Sequence, residues 1–413
     1  MRPTITMSET WMAPLVIAAA LGLLLTALAC GDDRSPGQLE KAHSREYAQY
    51  LVNEAIESYP KDGRAETLAY YNGEAAAAPI TSQATAMNNQ GVDRLQIVRD
   101  RGTLVCASNN SVAGFGFLDA GGNTVGFDVD LCRAVAAAVL GNPDAVEFRT
   151  TTAAERGPAI QSGEIDIMSR NTTWTSSRDA TWGNFAQTMF YDGQGFMAPR
   201  SLGITGMMEL RDASVCVQQG TTTELNIQDF DNQNSMNFDI LTFPDNISSN
   251  EAYQRGQCDA LTTDRSGLVS TRAGFETPED HVILPGTISE EPLGPVVPHG
   301  DDLWFALVNI VMAILVHAEA YGVTSDNVPT TATGDTAVDR LMGLEGFYGQ
   351  EALGLPNTVA QDVIRGVGNY GEIYDRHLSP LGLEREGSRN ALWANAPCSE
   401  CPRGGQIFAP PLR

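Results

Sequence analysis

The sequence of 413 residues predicts an α/β fold of two similar lobes, each a mostly parallel sheet with flanking helices. From Gly91 onward, short runs typical of strands alternate with helical segments, and this alternation favours parallel sheets. One pattern also recurs, because residues 161–166 and 254–259 each combine a helix end, a glycine and the start of a strand. Two segments rich in glycine and proline, 192–199 and 285–298, are natural crossings between the lobes.

The elements of the first lobe follow from their patterns and end signals. Residues 103–106 and 146–149 predict strands. Residues 128–140 predict a helix, because the segment begins with acidic residues and a glycine follows it. A short helix over 158–161 and a buried strand over 165–168 come next.

The second lobe repeats this order. Residues 215–217 predict a strand that enters a polar loop, and Ser248 followed by Glu251 predicts the start of a helix. After the second crossing, residues 304–316 are strongly apolar, but the run is short for a membrane span and contains Asn309. We therefore expect a buried core helix there.

The two crossings define the expected domain boundaries. We expect lobe 1 to comprise residues 91–195 and 290–413, including a C-terminal extension, and lobe 2 to comprise residues 196–289. Two crossings form a hinge on which two lobes can close around a ligand.

The composition excludes some functions. The chain has 51 acidic residues against 26 lysines and arginines, which gives a formal net charge of -25. This charge argues against nucleic-acid binding, which depends on Lys and Arg at phosphates, and against electrostatic attachment to anionic lipid. An acidic surface mainly implies solubility.

The N-terminal segment is typical of an export signal. Residues 11–29 are almost wholly apolar, as in a secretory signal peptide. The small residues before Cys30 resemble a bacterial lipoprotein processing site, in which the cysteine is lipidated, although Ala27 replaces the usual leucine. We expect residues 1–30 to be a lipoprotein signal peptide and residues 31–90 a tether, with an uncleaved membrane anchor as the alternative. Either outcome places the body of the protein outside the cytoplasm.

The cysteines agree with this compartment. Seven cysteines become six once Cys30 is lipidated, an even number that suits disulfides in an oxidising space. Six cysteines allow many pairings, and the sequence alone does not choose among them. We hypothesise one bridge in each lobe and one in the tail, namely Cys106–Cys132, Cys216–Cys258 and Cys398–Cys401. The tail pair could instead be half of a zinc site, but no second CxxC accompanies it, so we expect no metal.

A polar segment of ten residues, 169–178, indicates a ligand site. It follows the apolar run 165–168, so hydroxyls, an amide and two arginines lie at the C-terminal end of a predicted strand. Ligands bind at this end in open α/β sheets. Arg178 offers a planar set of donors suited to a carboxylate, and the hydroxyls can hold the rest of a small zwitterion. The alternative is a Ser/Thr-rich surface loop with solvated arginines.

Several motifs in a fixed order carry a resemblance to a known family. They are Asp-Val-Asp-Leu-Cys-Arg-Ala-Val at 128–135, Ser-Arg-Asn-Thr-Thr-Trp-Thr at 169–175 followed by Arg178, Phe-Tyr-Asp-Gly-Gln-Gly-Phe at 190–196, and the motifs at 220–225, 262–267, 291–295, 367–372 and 409–411. Together they resemble the general L-amino-acid-binding proteins of bacterial ABC transporters, within the family 3 extracellular solute-binding proteins. The resemblance runs from about Gly91 to the C-terminus.

The resemblance implies a type II periplasmic-binding-protein-like fold with a free amino acid held between the lobes. It places Arg178 and Thr222 at the α-carboxylate of the ligand and Asp264 at its α-ammonium group. A helix start after the loop of Thr222 would favour an anion. The other matched positions are Gly220 in this loop, two polar residues of lobe 1, Asn171 and Thr173, and two residues of an aromatic wall, Phe115 and Phe117.

Each of these positions also has a plainer interpretation. Asp264 beside Arg265 could be half of a surface ion pair, and the loop 220–222 could be only a helix cap. Phe115 and Phe117 could be core residues. Residues 109–111 replace the acid that many relatives carry after the first strand, so we expect no strong preference for lysine or arginine.

These observations predict a binding protein and not an enzyme. The sequence contains no HExxH or GxSxG motif, and its GxGxxG match at 366–371 lacks a preceding strand, so we expect no cofactor. The resemblance implies a monomer that captures free L-amino acids with broad specificity and delivers them to an ABC permease with its ATPase. The alternatives are a dehydratase on the same fold, for which Glu224 or Glu251 could act as acid or base, and a ligand-sensing ectodomain.

Overall fold

The computed structural model describes residues 92–393 and 405–412, which belong to one compact unit spanning Asn88–Arg413. The expected signal peptide, Cys30, the tether over 31–90 and the Cys398–Cys401 pair lie outside the described residues.

Strands and helices alternate along the described chain. The strands are β1 (Leu104–Ser108), β2 (Ser111–Val112), β3 (Gly116–Leu118), β4 (Thr124–Val125), β5 (Val146–Thr150), β6 (Ile167–Met168), β7 (Asn184–Phe185), β8 (Phe190–Asp192), β9 (Gln194–Pro199), β10 (Ser214–Gln218), β11 (Asp239–Phe243), β12 (Ala260–Asp264), β13 (His281–Ile283), β14 (Glu291–Leu293) and β15 (Val296–Val297). The α-helices are α1 (Arg94–Arg101), α2 (Phe127–Leu140), α3 (Arg156–Gln161), α4 (Ser176–Thr181), α5 (Thr222–Asn234), α6 (Asn246–Gln254), α7 (Arg265–Ala273), α8 (Asp302–Ala320), α9 (Thr336–Leu341), α10 (Val359–Val367) and α11 (Tyr370–His377).

The first sheet has the strand order β5-β1-β6-β15-β7. The interior strand β1 pairs in parallel with β5 and β6, so Cys106 lies opposite both Phe148 and Ile167. Beyond β6, β15 pairs antiparallel with both β6 and β7. All five residues of β1 are buried, as expected for an interior strand with parallel neighbours in a sheet that is covered on both faces.

The second sheet repeats this plan with the order β11-β10-β12-β9-β13. β10 pairs in parallel with β11 and β12, and β9 pairs antiparallel with both β12 and β13. The recurring sequence pattern has a structural counterpart, because Gly163 and Gly256 adopt left-handed φ angles of 68° and 70° ahead of β6 and β12. Glycine adopts this conformation without steric cost. The predicted two-lobed α/β fold is therefore confirmed.

Two chain crossings join the sheets. β8 and β14 form an antiparallel pair in which Asp192 lies opposite Glu291 and Phe190 lies opposite Leu293. β8 leads into β9 of the second sheet, and β14 leads back to β15 of the first. The crossings therefore form a two-stranded hinge.

The apolar run after the second crossing forms the core helix α8. Eleven of its 19 residues are buried, and Trp304 Nε1 donates a hydrogen bond to Asp166 O at 2.9 Å. By length and composition α8 could cross a membrane, but 61% of its apolar window is buried inside the protein. It packs against α2, α10 and α11, so it forms part of the hydrophobic core.

Three local predictions are corrected or resolved at helix ends. The prediction that Ser248 begins a helix was wrong, because α6 begins at Asn246 and Asp245 caps it by accepting a hydrogen bond from Ser248 N at 2.7 Å. α3 begins two residues earlier than predicted. The GxGxxG match forms the turn between α10 and α11, where Asn369 and Glu372 make a capping box.

Both bridges predicted for the lobes are present. Cys106 of β1 is bonded to Cys132 of α2 with their Cα atoms 6.3 Å apart, and Cys216 of β10 is bonded to Cys258 with their Cα atoms 5.7 Å apart. All four residues are buried. Each bridge therefore ties an interior strand of one sheet, β1 or β10, to a neighbouring element.

Replacing Cys216 and Cys258 together by alanine should lower the free energy of unfolding by about 2–4 kcal/mol, because the bridge restricts the unfolded chain. Guanidinium unfolding followed by circular dichroism measures this loss. Thr242→Ala, an exposed position on the neighbouring strand β11, is the control and should change stability by less than about 0.5 kcal/mol. An unchanged midpoint in the double variant would contradict a stabilising role for the bridge.

Candidate functional site

A cleft lies where the parallel strands of both sheets end. The two lobes contact each other across it, because Thr173 Oγ1 and Thr222 Oγ1 are 3.3 Å apart and Ser270 Oγ donates to Ala113 O at 2.7 Å. Lobe 1 contributes Asn109, Val112, Arg156, Arg170, Asn171, Thr173 and Arg178 to its lining. Lobe 2 contributes Gln218, Thr221, Thr222, Thr223, Asn246, Ser249, Asn250, Leu261, Thr262, Thr263, Asp264, Gly267 and Thr271.

Arg178 is a fixed cation on the lobe 1 side of the cleft. It lies in α4, whose start is capped by Thr175, because Thr175 Oγ1 accepts a hydrogen bond from Arg178 N at 3.2 Å. Arg178 Nη1 donates to Thr173 O at 3.1 Å, and Arg178 Cζ lies 4.6 Å from the centre of the Trp182 ring. Backbone and aromatic contacts thus hold the guanidinium group in place and leave further donors free for an anion.

The start of α5 faces this arginine from lobe 2. Gly220 makes the preceding turn with a φ of 73°, and Thr221 caps the helix by accepting from Glu224 N at 3.1 Å. Thr222 is the first residue of the helix. The N–H groups of a first helical turn have no partner within the helix and carry partial positive charge, so they suit an anion.

Asp264 is the single acidic residue lining the cleft within the described parts of the chain. It ends β12, and its Oδ1 is buried without a hydrogen-bond partner. Burial raises the pKa of Asp264 well above its usual value, the charges of Asp192 and Glu291 act in the same direction, and Arg178 opposes them. A cationic group beside Asp264 would therefore favour its ionised form.

Two hinge carboxylates, Asp192 and Glu291, connect the hinge to this site. Glu291 is 2% exposed and accepts hydrogen bonds from Thr222 Oγ1 at 3.0 Å and Asn226 Nδ2 at 2.7 Å. Asp192 accepts from Ser266 N at 3.3 Å, and burial raises the pKa of Asp192 to about 6. The sequence did not reveal these roles, although both residues lie in the Gly- and Pro-rich segments that it identified as crossings.

Asp128 is a third carboxylate whose role the sequence did not reveal. It lies in the first turn of α2 and accepts from Ser169 Oγ at 3.0 Å and from Asn171 N at 2.8 Å. Asn171 has a φ of 37°, and its Oδ1 accepts from Asn109 Nδ2 at 2.8 Å. Asp128 therefore shapes the loop after β6. Burial raises the pKa of Asp128 to about 6.

Some of the residues predicted for the site line the cleft and others do not. Those that line it are Arg178, Asn171, Thr173, Thr222 and Asp264. Gly220 shapes the turn before α5 but does not line the cleft.

The two phenylalanines predicted as an aromatic wall do not line the cleft. Phe115 is 1% exposed and packs edge-to-face against Phe190 with ring centres 5.2 Å apart. It also contacts Phe127 of α2, so it belongs to the core of lobe 1. Phe117 lies in β3, where it pairs with Ser111 and Val125.

The acids considered for an enzyme also lie outside the cleft. Glu224 accepts a hydrogen bond from Gly220 N at 2.7 Å, and Glu251 forms an ion pair with Arg255 on the surface. Residues 92–393 and 405–412 contain no cluster of metal-ligating side chains. The cleft thus combines three arginines, one acid and neutral polar groups, and the pair Arg178 and Asp264 suits the two charges of a zwitterion.

Comparison with known proteins agrees with this architecture. Residues 104–326 match the family of bacterial extracellular solute-binding proteins, family 3. The chain is 45% identical over 326 residues to the general L-amino acid-binding periplasmic protein AapJ of Rhizobium johnstonii, covering 77% of this chain and 92% of that protein. It is 42% identical over 351 residues to the glutamate/glutamine/aspartate/asparagine-binding protein BztA of Rhodobacter capsulatus, covering 84% of this chain and 99% of that protein.

A solved structure agrees as well. The ABC transporter periplasmic binding protein of Brucella ovis, solved with glutathione bound, superposes with a TM-score of 0.73 at 42% sequence identity. The match covers 78% of this chain and all of that one. The matched family region contains both sheets and every residue of the cleft, and the chain therefore belongs to family 3 of the bacterial extracellular solute-binding proteins.

Proposed function

We propose that this protein binds free L-amino acids in the cleft between its lobes and delivers them to an ABC importer. The observation that carries the proposal is the pair formed by Arg178 and Asp264. One is a buried cation on lobe 1, and the other is an acid on lobe 2 whose Oδ1 has no partner. An amino acid offers a carboxylate and an ammonium group, and these complement the pair.

In this proposal, Arg178 binds the α-carboxylate from one lobe and the start of α5 at Thr222 binds it from the other. Asp264 binds the ammonium group, and Thr173 and Asn171 supply neutral polar contacts. Charge-assisted hydrogen bonds contribute about 1.5–3 kcal/mol each. Two or three of them together contribute about 3–9 kcal/mol before the cost of association is subtracted.

The relatives support transport and not catalysis. The similar proteins of R. johnstonii and R. capsulatus are named as amino-acid-binding proteins, and the B. ovis protein as part of an ABC transporter. We place this protein in the periplasm with the same kind of role. Binding favours closure of the hinge, and an ABC permease with its ATPase recognises the closed form.

The domain organisation belongs to the same proposal. Residues 1–30 are a signal peptide, Cys30 is lipidated and anchors the chain to the membrane, and residues 31–90 are a tether. Lobe 1 comprises residues 91–195 and 290–413, lobe 2 comprises residues 196–289, and the protein acts as a monomer. The division of the strands supports this organisation, because the first sheet draws on residues 104–185 and 296–297 and the second on residues 194–283, although the second sheet begins at residue 194, two residues before the proposed start of lobe 2 at 196.

Titration calorimetry with the twenty L-amino acids tests the proposal, after unfolding and refolding have removed any carried ligand. We expect several amino acids to bind with dissociation constants of about micromolar. Arg178→Ala and Asp264→Asn should each weaken binding at least about 100-fold, because each leaves one buried ligand charge unpaired.

Matched controls come from surface charges on the same lobes. Arg149→Ala in lobe 1 and Glu251→Gln in lobe 2 remove charges that lie outside the cleft, and both variants should bind like the wild type. Folded protein that binds no free amino acid would refute the proposal.

Binding should release protons at pH values below the raised pKa of Asp264. The pKa of Asp264 is raised in the empty cleft, and a ligand ammonium lowers it, so binding displaces a proton wherever the acid starts protonated. Affinity should therefore fall as the pH falls toward the range in which free carboxyl groups titrate, by up to about tenfold per pH unit. Calorimetry in buffers of different ionisation enthalpy measures the number of protons released.

The control for this measurement is Glu251→Gln, which removes an exposed carboxylate and should leave proton release unchanged. Proton uptake on binding, or no exchange at any pH, would show that Asp264 does not receive the ammonium group.

A further inference from the structure

We infer that Arg156 and Arg170 form a subsite that accepts a carboxylate on the ligand's side chain, so that acidic amino acids are the preferred ligands. This inference rests on the proposed function, because it assigns the part of the cleft that the main-chain groups of a bound amino acid leave free.

The charges that line the cleft do not balance. Three arginines line it, Arg156, Arg170 and Arg178, whereas Asp264 is the single acidic residue in the lining formed by the described residues. The main chain of a bound amino acid pairs with Arg178 and Asp264. Two positive charges then remain without an acidic partner in the lining.

Arg156 has spare hydrogen-bonding capacity inside the protein. It is 6% exposed and lies at the start of α3. Its Nη1 donates to Asn171 O at 3.3 Å, and its Nε is buried without a partner. A guanidinium group has five N–H donors, and leaving buried donors unpaired costs free energy.

Arg170 is also buried, and its charge is not neutralised by a direct contact. It is 5% exposed, and its Nε has no hydrogen-bond partner. Asp128 and Glu155 lie close enough to stabilise its charge. Their carboxylates, however, accept hydrogen bonds from other groups, Asp128 from the loop after β6 and Glu155 from Thr152 N at 2.7 Å. Burial lowers the pKa of Arg170 to about 10, so it stays cationic at neutral pH.

The rest of the free lining offers donors to the same ligand group. Gln218 Nε2 and Ser249 Oγ are buried without partners, and both residues line the cleft. The apolar lining is confined to Val112 and Leu261 within the described chain. A side chain that ends in acceptors therefore fits this part of the cleft. A long apolar side chain would leave the buried donors of the lining without partners, and a cationic side chain would meet two arginines.

The test is calorimetric titration of the full chain with L-glutamate, L-glutamine, L-leucine and L-lysine at neutral pH. Glutamate and glutamine form the matched pair, because they differ in charge and hardly in size. We expect glutamate to bind at least about tenfold more tightly than glutamine, with leucine and lysine weaker than both.

Substitution of Arg156 should weaken the binding of a charged ligand side chain more than the binding of a neutral one. Arg156→Gln should weaken glutamate binding by about 10- to 100-fold and glutamine binding by less than about threefold, and Arg156→Lys should recover part of the loss. Arg149→Gln removes an exposed charge of the same lobe outside the cleft and should change the affinity for neither ligand.

Glutamine binding as tightly as glutamate to the wild type would overturn the inference, and so would an equal loss for both ligands in Arg156→Gln. These results would leave the proposed function intact, whereas failure of every free amino acid to bind would refute the proposed function itself. If Arg156→Gln does not fold, the glutamate-to-glutamine ratio of the wild type decides the inference.

Discussion

The site depends on one buried arginine held among three carboxylates. Arg178 interacts with Glu291 and Asp264, and Asp264 interacts with Asp192. If all four groups are ionised, three negative charges face one positive charge, and a poorly solvated site disfavours this excess. A ligand ammonium group beside Asp264 reduces the excess, so ligand binding and the protonation of Asp264 depend on each other.

The same carboxylates relate this charge balance to the hinge. Asp192 and Glu291 are paired across β8 and β14, and Glu291 also bonds Thr222 at the start of α5. From lobe 1, Trp174 N donates to Pro292 O at 2.8 Å. The loop of Trp174 in lobe 1 and the start of α5 in lobe 2 are thus both hydrogen-bonded to the hinge strand β14. We expect a movement of β14 to change the distance between these two parts of the site.

Some site residues could be predicted because they end or closely follow strands. Asp264 is the last residue of β12, and Thr222 follows β10 after the short loop 219–221, so chain continuity places both at the ligand-binding edge of a parallel sheet. Ser248 was wrongly predicted as a helix cap because Asp245, three residues earlier, is an equally suitable cap. Which of them is used depends on where the preceding strand ends.

By itself the sequence determined the alternation of strands and helices, the repeated lobe plan, and the polar loops that end the strands, because all of these are patterns within short segments. Only the tertiary structure decided that Phe115 turns into the core, that Asp128 shapes the loop of Asn171, and that Glu291 reaches Thr222. Each of these contacts joins segments that are far apart in the chain. A local pattern specifies that a side chain will be buried, but packing against distant segments specifies what it is buried against.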